Sequence, residues 1–69
     1  MTTYAVIYEQ TDNNFAAYVP DLPGCVATGR TRLEVERRIR AAIEMHLQGM
    51  REDGETPPVP TTTAGSVEA

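Results

Sequence analysis

Apolar and polar positions change period once along this chain of 69 residues. The change separates a strand-forming first part from a helix. Thr3 to Glu9 (TYAVIYE) is rich in β-branched and aromatic residues, which suits a strand. Thr11-Asp12-Asn13-Asn14 predicts a hairpin turn, because Asn and Asp bond their own main chain and tolerate left-handed backbone. Phe15 to Val19 is a second strand. The next stretch, Val19 to Gly29, reads VPDLPGCVATG. Pro20 and Pro23 lack a backbone donor, so neither can sit in a paired central strand. Pro23-Gly24 carries the chemistry of a type II turn, with Gly supplying positive φ. A corner is therefore forced between Val19 and Val26, and Cys25 to Gly29 makes a short third strand of small residues.

From Thr31 the period lengthens to that of a helix. Thr31 and Glu34 predict a capping box: the Thr31 hydroxyl accepts from the Glu34 amide, and the Glu34 carboxylate reaches back to the Thr31 amide. Val35, Ile39, Ala42, Ile43, His46, Leu47 and Met50 recur at three- and four-residue steps, making one apolar stripe. Gly54 is the expected C-terminal cap, and Pro57, Pro58 and Pro60 forbid continuation. A helix from Arg32 to about Glu52 is roughly 31 Å long, against roughly 23 Å for a seven-residue strand. Gly49 is therefore expected to mark a bend or an early end. Val59 to Ala64 is expected as a short edge strand blunted by its prolines. The fold class that follows is α+β in the order β-β-β-α-β, a small antiparallel sheet with one helix on one face. It comprises one domain over residues 1–64 and a flexible tail over 65–69.

The strands carry a further expectation. In the first, Tyr4, Val6 and Tyr8 share one face, and Ala5 and Ile7 the other. In the second, Phe15, Ala17 and Val19 oppose Ala16 and Tyr18. A sheet with one wet face normally alternates cleanly between apolar and polar residues; these strands are apolar on both sides. A single helix covers one face only, so the other exposes Ala, Ile or Tyr unless something packs there. Burying about 500 Å² of it would contribute roughly 12 kcal/mol before association costs. We therefore expect a protein–protein interface on that face or on a sheet edge.

Composition points the same way. A chain this small buries only about 60% of its unfolded surface, and such domains add disulfides, a metal or oligomerisation. Cys25 is the only cysteine and His46 the only histidine, which excludes an internal disulfide and a zinc-ligand pattern. Oligomerisation or a stable partner remains. The first residues show no basic n-region and no long apolar run, so neither a signal peptide nor a membrane span is expected, and the location expected is cytoplasmic. The net charge of −4 argues against non-specific nucleic-acid binding through a globally basic surface.

Five of the six basic residues, all arginines, fall close together: Arg30, Arg32, Arg37, Arg38 and Arg40. Such a helix face could meet RNA or phosphate. However, Glu34–Arg38 and Glu36–Arg40 are spaced as helical ion pairs worth about 0.3–0.5 kcal/mol each, and no aromatic residue lies on the helix to stack a base. Solvated charges, or a rim around a protein contact, are the better reading. His46 lies on or beside the apolar stripe with no acid or nucleophile placed near it. Cys25 reads as a small buried residue. There is no paired-carboxylate motif, phosphate loop or nucleophile elbow. No catalysis, cofactor or metal is expected.

The strand YAVIYEQ, the segment FAAYVPDLPGCVATGRT, Glu34, the helix AAIEMHL and the trailing GETPPVP together resemble the HicB-like antitoxin family over nearly the whole chain. The resemblance implies a partly degenerated ribonuclease-H-like core without its acidic active site, commonly assembled as a dimer or tetramer. It implies binding and steric blockade of a HicA-like toxin, an mRNA-cleaving ribonuclease. Full-length members usually append a DNA-binding segment; only five residues follow Ala64, so direct DNA binding is not expected. Position 35 is Val where the family often has Ala. Residues expected at the partner contact are Tyr8, Tyr18, Asp21, Leu22, Arg37, Arg38 and Arg40. The alternative reading is an orphan self-assembling domain that binds a small ligand or RNA with no toxin partner.

Overall fold

The computed structural model describes residues 2–69. Strands β1 (Ile7–Gln10), β2 (Phe15–Tyr18) and β3 (Val26–Gly29) precede one helix, α1 (Arg32–Glu52). The strands form an antiparallel meander in the order β1-β2-β3, and α1 lies across one face, against β2 and β3. The α+β arrangement is the one expected. Ala17, Val19, Leu22, Cys25, Val35 and Ile39 form the buried core, with Tyr4, Val6, Tyr8, Phe15, Ala27, Ala42, Ile43 and Leu47 packed around it.

The proline corner accounts for half of that core. Leu22 donates its N–H to the Val19 carbonyl (3.0 Å), Cys25 to Leu22 (3.0 Å) and Val19 to Cys25 (3.1 Å). Two successive turns thus close on each other, with Pro20 and Pro23 at the positions that need no donor. Gly24 has φ 85°, as the type II reading requires. This closure also trims the first strand, which begins at Ile7 and not at Thr3. Tyr18 is the last partner of β1, because the Val19 amide is spent inside the corner and Pro20 has none.

At the hairpin, the organising group is the Thr11 hydroxyl, which receives the Asn14 amide (3.1 Å) and donates to Asn14 Oδ1 (2.6 Å). The left-handed tolerance of Asn and Asp goes unused, since no residue but glycine has positive φ among the described residues. Gly29 ends β3 where α1 begins, and a Cβ there would lie 2.9 Å from the Val35 nitrogen. Only glycine fits this close approach without backbone shift.

Helix α1 starts as expected, with the Glu34 amide donating to Thr31 Oγ1 (3.0 Å). The returning half of the capping box is displaced by one residue: Glu34 Oε1 accepts from the Arg30 amide (3.2 Å). Gly49 marks neither a bend nor an end; α1 runs through it to Glu52. The stop is a Schellman motif, with Glu55 donating to the Met50 carbonyl (2.8 Å), Gly54 donating to that of Arg51 (3.1 Å), and φ 76° at Gly54. Ala42, Ile43 and Leu47, further along α1, still pack against the core.

The fifth element of the expected order is not formed: residues 59–64 pair with no strand. Pro57, Pro58 and Pro60 have no donor to give, and the next amides turn to a side chain. Asp21 Oδ2 accepts the Thr61 and Thr62 amides (3.1 and 3.0 Å), and Oδ1 accepts both hydroxyls (3.1 and 2.8 Å). Tyr4 adds a bond from its hydroxyl to the Pro58 carbonyl (2.6 Å). The segment is thus clasped across the end of the sheet, and residues 65–69 are exposed.

The Thr62 amide above all, then the Thr62 hydroxyl and the Thr61 groups, hold the Asp21 carboxyl below its ordinary range against the opposing effect of burial. A depressed carboxyl stabilises the fold above its unfolded pKa and loses that contribution as pH falls through the folded value. The clasp is therefore expected to hold at neutral pH and to open only in acid. Amide resonances of Thr61 and Thr62 should titrate together below the usual aspartate range, and Asp21→Asn should leave them unclasped at every pH. Amides indifferent to both changes would contradict the clasp.

Candidate protein-binding face

Because residues paired across antiparallel strands point to the same side, the register assigns every strand residue to a face. Tyr8 pairs with Ala17, and Ala17 with Ala27; Ala17 is buried under α1, so this row faces the helix. Ile7 pairs with Tyr18, and Tyr18 with Val26, so these three form an apolar row on the opposite, uncovered face. Tyr18 is 40% exposed and Val26 64%, while Ile7 is half-buried. The next row, Glu9–Ala16–Thr28, is polar or small. The open face is thus apolar at the corner end and wettable at the turn end.

The residues expected at one contact are distributed over several places. Tyr18 alone lies on the open face. Tyr8 lies on the helix side, half-buried, with the Arg32 guanidinium 3.6 Å from its ring centroid, a cation–π stack. Leu22 is 1% exposed and belongs to the core. Asp21 has its carboxylate filled by the clasp. Arg38 is held at home, donating to the Thr28 carbonyl (2.9 Å) and pairing with Glu34 (3.1 Å). The expected Glu36–Arg40 pair is replaced by Glu36–Arg32 (2.9 Å), which leaves Arg40 and Arg37 without an ion pair among the described residues.

Arg37 and Arg40 instead rim a groove of about 470 Å³ between α1 and β1. Val6, Tyr8, Leu33, Ile39 and Ile43 line it, with Glu36 and Glu44 completing the rim. Val26 and Leu33 are exposed apolar residues outside the expected contact set. Val26 follows from the parity of its neighbours: once Cys25 is known to turn inward, Val26 must point out. Leu33 precedes the apolar stripe and had no such signal.

Burial pushes the Cys25 thiol up, which disfavours the reactive thiolate. No group of three or more His, Cys, Asp or Glu side chains among the described residues could hold a metal ion. None of the described helices is long and apolar enough to cross a membrane.

Comparison with known proteins agrees with the architecture. Residues 4–69 match the model of the HicB_like antitoxin of bacterial toxin–antitoxin systems. A UPF0150 protein of Helicobacter pylori is 38% identical over 47 residues, 68% of this chain and 65% of that protein. One from Archaeoglobus fulgidus is 36% identical over 52 residues, 72% and 75% of the two chains. The chain is also 36% identical to an uncharacterized 14.9 kDa protein of Haemophilus phage HP1, the match covering 80% of this chain but only 41% of the phage protein. In three dimensions it resembles the crystal structure of TTHA0281 from Thermus thermophilus, with TM-score 0.70 and 38% identity, over 77% of this chain and 68% of that one. The chain belongs to the HicB-like antitoxin family of bacterial toxin–antitoxin systems.

Proposed function

We propose that this protein neutralises a HicA-like, mRNA-cleaving toxin by covering its RNA-binding or catalytic surface with the open face of the sheet. The observation that carries this reading is the uncovered row Ile7–Tyr18–Val26. It is apolar and presented by three paired strands, and α1 packs on the other face. A flat apolar centre with an exposed tyrosine is the kind of patch that becomes the anchor of a protein contact. Polar Glu9 and Thr28 beside it supply the rim. The net charge of −4 favours a basic partner, as an RNA-cleaving protein is expected to be, and steers the encounter. The reading needs no catalytic residue, cofactor or DNA contact in this chain, and it places both partners in the cytoplasm with the mRNA.

The decisive test is co-purification with the product of a neighbouring reading frame encoding a small, basic, histidine-containing protein, followed by relief of that protein's growth inhibition. Failure of the two to associate at micromolar concentration would sink the reading. It would leave the alternative, an orphan self-assembling domain.

A further inference from the structure

We infer that the free edge of β1, with the groove beside it, takes up an extended, acidic segment of another protein as a fourth antiparallel strand. Amide groups alternate sides along a strand, so two bonds near the ends of β2 fix which way β1 directs its main chain. The Thr11 amide donates to the Asn14 carbonyl (2.9 Å), across the hairpin, and the Val19 amide donates to the Cys25 carbonyl (3.1 Å), toward β3. Counting from either bond, Ile7 and Glu9 turn their main chain to Tyr18 and Ala16 of β2. Tyr8 and Gln10 therefore direct their N–H and C=O groups outward. No strand lies on that side, and no other backbone group bonds them among the described residues. The opposite edge differs. There Val26 and Thr28 point outward, and the Thr28 carbonyl already accepts from Arg38 Nη1 (2.9 Å). An unpaired edge such as that of β1 is a template for a further strand.

The groove gives this edge its selectivity. Helix α1 packs on β2 and β3, so the helix side of β1 opens onto the apolar lining that Val6, Tyr8, Leu33, Ile39 and Ile43 provide. Residues paired across antiparallel strands share a face. The incoming residue opposite Tyr8, and those two positions to either side of it, therefore lie on the groove side. Apolar side chains there would cover Val6 and Tyr8. The rim adds charge: Glu36 is engaged by Arg32 (2.9 Å), which leaves Arg37 and Arg40 against Glu44 alone. That positive balance, offered as guanidinium forks, calls for a carboxylate on the incoming strand. A second copy of β1 does not supply one. Paired antiparallel, it would bring Val6, Tyr8 and Gln10 to the groove side and turn Glu9 to the other face. A basic partner, as the proposed toxin is expected to be, is disfavoured by the same arginines. The occupant is thus a segment of a further protein, apolar on its groove side with one acid among the apolar residues.

The probe is the blocked peptide acetyl-Val-Thr-Asp-Thr-Val-amide, titrated at up to about 1 mM in low salt into the isotopically labelled full chain. Before its addition, hydrogen exchange should find the Tyr8 and Gln10 amides fast beside those of Ile7 and Glu9. The peptide should slow both and shift the resonances of Leu33, Arg37 and Arg40. Replacing its Asp with Lys should weaken binding by at least about tenfold, and the double variant Arg37→Glu/Arg40→Glu should reverse that preference. N-methylation of the Val and Asp amides, which would face β1, should abolish binding, whereas N-methylation of the two Thr amides should leave it intact. Neither arginine is in an ion pair among the described residues, so thermal melts should show the variant folded. Absence of binding at that concentration, or binding indifferent to which amides are methylated, would overturn the proposal. So would shifts confined to Tyr18 and Val26, since they would place the peptide on the open face. Because no toxin enters the experiment, its failure leaves the antitoxin reading untouched.

Discussion

Leu22→Ala is expected to destabilise the domain by about 2–5 kcal/mol, the range for truncating a fully buried leucine. A chain of 69 residues has a total stability of only about 3–10 kcal/mol at 0.05–0.15 kcal/mol per residue. The variant should therefore be largely unfolded, or nearly so, at 25 °C. Leu22 is 1% exposed and sits at the junction of the two proline turns, donating to Val19 and accepting from Cys25. Its removal opens a cavity beneath the segment that aligns β2 with β3. Urea unfolding of the variant beside the unmodified protein measures the loss directly. A midpoint shifted by less than the equivalent of 1 kcal/mol would show that the corner is not part of the core. Any loss of partner binding in this variant should track the unfolded fraction, because the side chain does not reach the surface.

Val26→Glu is expected to have the opposite signature. Val26 is 64% exposed, so the substitution should leave the melting temperature nearly unchanged. It should weaken toxin binding by about 100-fold or more, equivalent to about 2.7 kcal/mol, because a carboxylate would be buried without a partner in the centre of an apolar contact. Tyr18→Asp, in the same row, should behave alike. Isothermal titration against the co-expressed toxin provides the comparison. Retained affinity in both folded variants would remove the open face from the mechanism.

Most of the frame was legible from local chemistry. Pro23-Gly24 specifies its turn through φ and a missing donor, Thr31 and Gly54 specify the ends of α1 through capping, and the stripe through Val35 and Ile39 specifies its buried face. Each of these signals spans only a few residues. What escaped depends on contacts between distant positions. Tyr8 and Tyr18 both alternate within apolar strands, and only the pairing of Tyr8 with Ala17, under α1, separates the packed tyrosine from the exposed one. Asp21 reads as a partner-contact residue because Thr61 and Thr62, which its carboxylate binds, lie 40 and 41 residues away. The same bonds explain the missing last strand, whose amides go to a side chain and not to a sheet edge. Glu36 had two arginines at helical spacing, and the chain pairs it with Arg32, which Tyr8 also holds.

Whether the open face binds the proposed toxin is read from a backbone amide chemical-shift map of the isotopically labelled protein titrated with the toxin that co-purifies with it. The largest changes are expected at Ile7, Tyr18 and Val26, with little at Leu33, Arg37 and Arg40. Changes confined to the groove, with the Ile7–Tyr18–Val26 row unmoved, would contradict binding through the open face.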